Sequence, residues 1–469
     1  MVEDVLNNRL HEAELLKEIL LRHKNSRIVI LDDIDYDGTM GMFIAKLSIE
    51  AIAPLATVDV IHNNKHGLAN DPQLIDRLMK YDLIVVVDSS TNETKYLEGH
   101  KDVVIIDHHE MEDCCSVPDN VLLINCKHIK GYESISAGML VYLLFRQITN
   151  DLNVEVEDHF ITACATLYSD IVPVDDMVSA LIDKFMVCDK VPKLIKAMNT
   201  YRNPLNKTLF QWELIPLVNY TRRLEDNASL QTLITDGMEE YATNNLKNNR
   251  KRAKTLIDLM FNYSNKRELN NFTLIDITNT LKLSSEPLKN FKGLLSNQFV
   301  KSYKKPAVTG YTNQQDNKFY FSVRSPGVNS LDYFKSIRLE GGGHKFANGF
   351  SANIKDLKMT FEGFDSYLVK QEEEESYIKL SKIEDLKDVN IWEDVIRNEK
   401  AFSNIKPVKY LVEDANIGVT TTGRKRNIID YKGIPFVTYN KLTGAHNLLI
   451  TPTLNDFKTK SFELIAEIV

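Results

Sequence analysis

The sequence has few cysteines, no long apolar run and no excess of basic residues. The cysteines are Cys114, Cys115, Cys126, Cys164 and Cys188, five among 469 residues. Because their number is odd and no C-x-x-C spacing occurs, neither a disulfide framework nor a structural zinc site is expected. Free thiols in a reducing cytoplasm are the simpler interpretation. No stretch of 18 apolar residues is present, so we expect no membrane span.

The charge balance is acidic. Lysine and arginine total 57 against 65 aspartate and glutamate residues, which gives a net charge of −8. Proteins that bind nucleic acid are often basic. An acidic balance does not exclude a nuclease, because an active site built from carboxylates is acidic until metal binds and basic residues can be clustered elsewhere.

Strand-length apolar runs alternate with helical patterns over the first 150 residues. The strand candidates are RIVILDD, ATVDVIHN, LIVVVDSS, VVIIDHH and VLLIN. This alternation predicts a doubly wound parallel α/β sheet, in which the carboxyl ends of the strands share one edge. Between the second and third runs, Asp71 and Pro72 are expected to be the N-cap and first residue of a helix.

The remaining chain divides into three parts. Residues 155–300 are expected to be mainly helical, with one long helix between Tyr241 and Arg267 that has a basic middle. Strands return near residue 305, and the acidic run QEEEES at 371–376 suggests a boundary. We therefore predict an α/β domain at 1–200, a helical connector at 201–300, a smaller α/β domain at 301–370 and a small β domain at 371–469, whose short strands suggest a barrel.

A dense acidic cluster follows the first predicted strand. Asp32, Asp33, Asp35 and Asp37 lie within LDDIDYDG. Carboxylates this close repel one another strongly and are tolerated where cations neutralise them. The alternative is a solvated acidic loop or a helix N-terminus, where aspartate is also favoured.

Further candidate ligands follow two later strands and one helix. Asp88 ends LIVVVDSS, the triplet Asp107, His108 and His109 ends VVIIDHH, and Asp170 lies in an apolar helical stretch. Asp88 alone could be only a helix N-cap, but adjacent carboxylate and imidazole ligands suit Mn²⁺, Fe²⁺ or Zn²⁺. Strand ends of one sheet bring such residues together, and this set is large enough for two divalent ions that share a bridging aspartate.

A glycine-rich motif occurs near the end of the smaller α/β domain. Gly341, Gly342 and Gly343 precede His344, and Arg324 lies upstream in FSVRSPGVNS. Glycines let backbone amides approach an anion, and arginine or histidine can hold a phosphate. A simple turn is the alternative.

The order of these motifs resembles the DHH phosphoesterases with their DHH-associated second domain, over residues of about 25 to 355. The motifs are DxDxDG, VVVDSS, DHH and GGGHxxAxGF. Four more segments resemble the RecJ branch of single-strand exonucleases: KHGLAN, LIPLVNYTRRLED, LKNNRKRAKTL and FSVRSPGVNS. They point to Arg223, Arg324 and Ser325 as substrate-binding residues, together with Gly342, Gly343 and His344.

The resemblance implies two Mn²⁺ or Mg²⁺ ions. Asp35 and Asp88 would bind one ion, and Asp37, Asp88, His108 and Asp170 the other. His109, with Asp107 and His108 beside it, would act in catalysis, while Arg324 and His344 contact phosphate. The implied activity is 5′→3′ digestion of single-stranded DNA to 5′-mononucleotides. Single-strand-binding protein or a helicase would be the expected partner, and the C-terminal domain would be OB-like.

One departure from the RecJ pattern is Leu31, where a histidine is usual; Asp33 would then complete the first ion's shell.

Two alternatives to a single-strand exonuclease stay open. One is a phosphodiesterase for cyclic dinucleotides or nanoRNA, and the other is a weakly active nucleic-acid-binding relative. The first 20 residues lack the features of a signal peptide, so a cytoplasmic location is expected. The abundance of lysine and asparagine suggests a low-GC bacterium or its phage. For a phage protein, the expected location is the host cytoplasm.

Overall fold

The structure is a computed structural model, and it describes most of the chain up to residue 369 and parts of the remainder. The described residues are 6, 8–63, 67–68, 71–112, 115–170, 172–199, 205–233, 235, 237–369, 378–379, 410–417, 421–422, 427–431, 434–438, 444–455 and 461–468. The chain forms two compact units. Unit 1 comprises Met1–Asn219, Asn227–Thr243 and Ser376–Val469, and unit 2 comprises Tyr220–Asp226 and Asn244–Glu375.

Unit 1 contains a five-stranded parallel sheet in the order β2-β1-β3-β4-β5. Its strands are β1 Arg27–Asp32, β2 Thr57–His62, β3 Leu83–Val87, β4 Asp102–Asp107 and β5 Val121–Asn125. The accompanying helices are α1 His11–Arg22, α2 Tyr36–Ile52, α3 Pro72–Leu78, α4 Ala137–Leu152, α5 Phe160–Ser169, α6 Asp176–Val187 and α7 Lys193–Met198. The predicted parallel α/β fold is confirmed.

The central strands are apolar runs because helices cover both faces of the sheet. Every residue of β3 is buried. On one face, Leu31 and Val86 pack in a core with Leu74 of α3. The predicted start of α3 is also correct, since Pro72 is its first residue and the Asp71 side chain accepts a hydrogen bond from the Leu74 N–H at 3.0 Å.

A helical segment follows the first sheet. It begins with the α-helical turn Lys207–Leu209 and the π-helical turn Phe210–Leu214, and continues as α8 Ile215–Arg223, α9 Asn227–Leu233 and α10 Glu239–Tyr263. The π turn ends two residues before Pro216, whose missing N–H removes a regular helical hydrogen bond. The 25-residue α10 confirms the predicted long helix. Among the described helices, none combines the length and apolar character that crossing a membrane requires.

Unit 2 contains a six-stranded mixed sheet in the order β10-β11-β9-β8-β7-β6. Its elements are β6 Asn265–Glu268, β7 Thr273–Asp276, α11 Lys292–Tyr303, β8 Ala307–Asn313, β9 Lys318–Arg324, α12 Ser330–Ser336, β10 Glu340–His344, β11 Ala347–Asn353 and α13 Leu357–Val369. Strands β6 and β7 come from the stretch expected to be mainly helical. Each has four residues, too few for a clear period-two pattern, and β6 is exposed throughout.

The C-terminal residues form a seven-stranded sheet in the order β12-β13-β17-β18-β16-β15-β14. Its strands are β12 Ile378–Lys379, β13 Tyr410–Ile417, β14 Thr421–Thr422, β15 Asn427–Tyr431, β16 Ile434–Thr438, β17 Gly444–Asn455 and β18 Ser461–Ile468. This sheet agrees with the predicted C-terminal β region. Its OB-like character stays a prediction.

Candidate metal centre and phosphate site

The acidic and histidine side chains predicted as metal ligands come together at the carboxyl ends of β1, β3 and β4 and at the end of α5. They form overlapping groups whose ligand atoms lie within 4.8 Å of one another. The groups are Asp33, Asp35 and Asp88; Asp37, Asp88, His108 and Asp170; and Asp88, His108 and His109. Asp88 belongs to every group, so its carboxylate occupies the centre of the cluster.

The start of α2 positions two of these carboxylates. Asp35 is the N-cap of α2, and its side chain accepts hydrogen bonds from the N–H groups of Asp37 at 2.9 Å and Gly38 at 3.3 Å. The fully buried Asp37 accepts from the N–H groups of Ala137 at 2.9 Å and Gly138 at 2.8 Å. The N-terminus of α4 therefore holds Asp37, as helix N-termini hold anions generally.

Gly138 is required by this contact. A Cβ atom at residue 138 would lie 2.6 Å from Oδ1 of Asp37 and 2.8 Å from Cγ2 of Thr166. Glycine thus lets the first turn of α4 approach the carboxylate closely enough to donate its N–H groups.

Asp88 has a strained backbone and lies beside His108. Its φ angle is 67°, in the left-handed region that non-glycine residues seldom occupy, and its N–H donates to the carbonyl of Ile106 at 2.8 Å. Nε2 of His108 lies 3.2 Å from Oδ1 of Asp88 and 3.0 Å from Oδ2 of Asp170. Strain of this kind persists where the surrounding structure demands one geometry, here a carboxylate aimed into the cluster.

The electrostatics of the cluster favour cations. Burial raises the pKa of Asp37 well above its usual range, and the Asp170 carboxylate raises it further. Burial and the Asp37 carboxylate do the same to the pKa of Asp88. Although burial opposes it, hydrogen bonds to Asp170 and Asp88 raise the pKa of His108. Divalent cations would relieve this repulsion, and a donor set of mostly carboxylate oxygens with one imidazole suits Mn²⁺ or Mg²⁺.

Asp107 orients its neighbours instead of joining these ligand groups. Its Oδ2 accepts from the N–H of Thr91 at 3.0 Å and its hydroxyl at 2.7 Å. Its Oδ1 accepts from the N–H of His108 at 2.7 Å and from Nδ1 of His109 at 2.7 Å. Burial opposes ionisation, but the His109 hydrogen bond holds the pKa of Asp107 below its usual value. An ionised carboxylate only accepts hydrogen bonds, so Nδ1 of His109 is the donor.

The sequence analysis missed two residues that support this arrangement, Thr91 and Asn125. Asn125 ends β5, and its side-chain amide donates to the hydroxyl of Thr91 and to the carbonyl oxygen of His109, both at 2.9 Å. It therefore ties the Asp107 network to the backbone of His109. The sequence does contain a signal for Asn125, because a polar residue ends the apolar run VLLIN.

Leu31 lies in the apolar core and not at the metal cluster. Its side chain is fully buried, and in the sheet it pairs with Ile61 of β2 and Val86 of β3. Side chains alternate between the two faces of a strand, and residue 31 faces the core. Asp33 lies within the first ligand group, so the acidic set at the end of β1 is formed without a side chain from position 31.

The residues expected to bind substrate lie in unit 2. Arg324 ends β9, and its Nη1 donates to the carbonyl oxygen of Val323 at 2.8 Å. Burial lowers the pKa of Arg324 to about 10, and the guanidinium of Arg223, at the end of α8, contributes. Two guanidinium groups that repel each other favour an anion beside them.

The other expected substrate-binding residues lie around β10. Ser325 is buried, and its hydroxyl is 2.9 Å from the carbonyl oxygen of Val328. A Cβ at Gly342 would meet no atom within 4 Å, whereas at Gly343, whose φ is 127°, it would lie 2.8 Å from the carbonyl oxygen of Ala347. Gly343 is therefore needed for pairing with β11, and Gly342 faces open space. His344 is the last residue of β10, and its side chain lies outside the described part.

Comparison with known proteins agrees with this architecture. Residues 27–168 match the DHH family, N-terminal domain. YorK of the SPbeta prophage of Bacillus subtilis, provisionally named a single-strand DNA-specific exonuclease, is 20% identical over 451 residues, which cover 83% of this chain and 71% of YorK.

Solved structures of RecJ from Thermus thermophilus have the same fold. The Mn²⁺ complex superimposes with a TM-score of 0.73 at 15% identity, covering 99% of this chain and 73% of that protein. The Mg²⁺ complex gives a TM-score of 0.68 at 16% identity, covering 99% and 71%. The similarity thus extends over all three sheets of the chain.

Proposed function

We propose that this chain, whose residues 27–168 match the DHH family, N-terminal domain, and whose fold is that of RecJ, degrades single-stranded DNA from the 5′ end to 5′-mononucleotides. The observation that carries the proposal is that two ligand groups share Asp88, with the Asp107–His109 pair beside them. The groups are Asp33, Asp35 and Asp88, and Asp37, Asp88, His108 and Asp170. Phosphodiester hydrolysis needs charge stabilisation on both sides of phosphorus, and such paired groups are suited to that task.

The side chains divide into ligands and orienting groups. Asp33, Asp35 and Asp88 would hold one divalent ion, and Asp37, Asp88, His108 and Asp170 a second. When bound, these ions supply an activated water and stabilise charge on the phosphate. Asp107 keeps Nδ1 of His109 protonated, so Nε2 is the ring atom that would contact a phosphate oxygen, donating when the ring is charged. Arg223 and Arg324 would bind phosphate groups of the strand.

The proposed substrate and the proposed direction of digestion rest on the similarity of this chain to YorK and RecJ. YorK is named a single-strand DNA-specific exonuclease and RecJ an exonuclease, and we extend that activity to this chain. The prophage origin of YorK supports a phage source, with action in the host cytoplasm. A single-strand-binding protein or helicase that exposes single strands would be the natural partner of such an enzyme.

The test is a degradation assay with the purified chain and Mn²⁺. Single-stranded DNA of about 30 nucleotides, labelled at the 5′ or the 3′ end, is compared with the matching duplex, a trinucleotide and a cyclic dinucleotide. We expect labelled mononucleotide at once from the 5′-labelled strand and progressively shorter products from the 3′-labelled strand. The Asp88→Asn variant should release neither.

Two outcomes would reject the proposal. Turnover of the trinucleotide or cyclic dinucleotide without the long strand would identify a small-substrate phosphodiesterase. Binding of the long strand without metal-dependent release of nucleotides would identify a binding protein instead of a nuclease.

A further inference from the structure

Lys292 is a half-buried cation held at a defined place in unit 2. It is the first residue of α11, and its Nζ lies 5.0 Å from the ring centroid of Tyr311 in β8. The Tyr311 ring in turn stacks on Tyr320 of β9, with centroids 5.7 Å apart and an interplanar angle of 21°. An ammonium over an aromatic face is attracted to it, so Lys292 is pre-positioned instead of sampling many rotamers in water.

The next residue, Gly293, lies directly against the side chain of Arg324. A Cβ at Gly293 would lie 2.5 Å from Nη2 of Arg324. The guanidinium therefore packs directly on the backbone of the first turn of α11. Because Lys292 and Gly293 are consecutive, this turn presents one cation from its own side chain and supports a second one.

The charges around this turn are mostly of one sign. Neither Lys292 nor Arg324 has a carboxylate ion partner among the described residues. Burial and Lys289 lower the pKa of Lys292 to about 8. Burial and the guanidinium of Arg223 likewise lower the pKa of Arg324. Glu225 lies nearby, but its carboxylate accepts the side-chain N–H of Asn290 at 2.9 Å.

We propose that Lys292 is a phosphate-binding residue, which holds a backbone phosphate of the bound strand adjacent to the phosphate held by Arg324. This inference rests on the proposed function and adds a second phosphate contact to it. Lys289 repels the partly buried Lys292, and Arg223 repels the partly buried Arg324, so a phosphate that enters beside each cation removes that repulsion. Tyr311 is the positioning residue, since its ring fixes the ammonium before the strand arrives.

A binding measurement tests the role of Lys292. Fluorescence anisotropy with a labelled 20-mer of thymidine is recorded in EDTA, to prevent hydrolysis, over a range of salt concentrations. The Lys292→Met variant is compared with Lys301→Met, an exposed lysine in the last turn of the same helix.

We expect Lys292→Met to weaken binding about 5- to 10-fold near 0.1 M salt and to flatten the plot of log K against log[salt] by about 0.7, the value for one lost contact on a single strand. Lys301→Met should change neither quantity, and Lys292→Arg should retain most of the affinity. Unchanged affinity and slope in Lys292→Met would overturn the proposal.

A second measurement does not depend on any variant folding correctly. The unaltered chain is acetylated briefly near pH 8, with and without the 20-mer, and the modified lysines are quantified by mass spectrometry. Lys292 should be protected by the strand, whereas Lys301 should not. If the strand is degraded but Lys292 is equally reactive in the complex, this proposal alone fails. If the strand is neither bound nor degraded, the proposed function fails with it.

Discussion

The side chains of Asp107 and His109 are joined by a 2.7 Å hydrogen bond from Nδ1 of the imidazole to Oδ1 of the carboxylate. The preceding residue, His108, points its Nε2 at Asp88 and Asp170 instead. Two consecutive histidines at one strand end therefore have different partners. His108 lies in two of the ligand groups, whereas His109 lies in one of them and is also oriented by a carboxylate that is itself saturated with hydrogen bonds.

Replacing Asp107 with asparagine should separate orientation from metal binding. The amide cannot accept from Thr91 and His109 on both sides, so a buried donor is left unpaired at a cost of about 1–3 kcal/mol. We expect kcat on single-stranded DNA to fall at least about 100-fold, while Mn²⁺ affinity measured by calorimetry stays within about 10-fold. A loss of Mn²⁺ binding as large as that of Asp88→Asn would mean that Asp107 is itself a ligand.

Replacing Gly138 with alanine should disturb the candidate metal cluster by displacing Asp37. The new Cβ would overlap Oδ1 of Asp37, so either α4 or the carboxylate must move. We expect a loss of about 1–3 kcal/mol in unfolding free energy and weaker Mn²⁺ binding. Gly349→Ala is the matched control, because its nearest atom would be 3.5 Å away. Normal Mn²⁺ affinity in Gly138→Ala would show that the Asp37 contact does not position a ligand.

Adding Mn²⁺ should stabilise unit 1. A ligand present at 100 times its Kd contributes about 2.7 kcal/mol, which corresponds to a rise of roughly 4 °C in Tm for a unit of this size. Asp88→Asn should abolish that shift and also raise the Tm of the metal-free protein, because it removes a buried carboxylate whose ionised form is unfavourable. Calorimetry of both proteins with Mn²⁺ or EDTA makes the comparison. A Mn²⁺-induced shift that survives in Asp88→Asn would place the ions elsewhere.

Histidine at position 31 should destabilise the fold without improving the metal site. Leu31 packs in the core, so the imidazole would be buried among apolar side chains, at a cost of about 2–4 kcal/mol in urea unfolding. Leu31→Val, which keeps an apolar side chain, should cost less. Tighter Mn²⁺ binding by Leu31→His would contradict the structure and restore the idea of a missing ligand.

Lys292 should make stability depend on pH in an alkaline window. Its pKa is lowered from 10.5 to about 8 in the folded chain, so between these pH values the unfolded chain holds the proton and the folded chain does not. Unfolding free energy should therefore rise with pH across this window, more in the unaltered protein than in Lys292→Met. Chemical denaturation at pH 7 and pH 10 measures the difference. The same pH dependence in both proteins would show that Lys292 is not the responsible group.

The fold class, and the meeting of the candidate ligands at one edge of the sheet, could be predicted from the sequence. Buried parallel strands require apolar runs such as LIVVV, and the turns that follow them carry the polar residues, so Asp88 and Asp107 were recognisable as strand-end positions. The N-cap Asp71 was also predictable, because capping is a local interaction between residues three apart.

The roles within that set were decided by the tertiary structure. Asp107 and Asp88 are both aspartates at the ends of apolar strands, yet only the three-dimensional contacts show that Asp107 binds His109 and Thr91 while Asp88 lies among the candidate metal ligands. The need for glycine at 138 arises from Asp37, 101 residues away. The pairing of Lys292 with Tyr311 likewise depends on how α11 packs on β8.

The sequence by itself determined which side chains could bind metal and that they would meet at one edge of a parallel sheet, because strand ends of like direction coincide. Only the tertiary structure decided which carboxylate faces the cluster and which orients a histidine. It also placed Leu31 on the core side of β1, Gly293 against Arg324, and Lys292 over the ring of Tyr311. These outcomes depend on contacts between residues far apart in the chain, and no local pattern encodes the distances at which such residues meet.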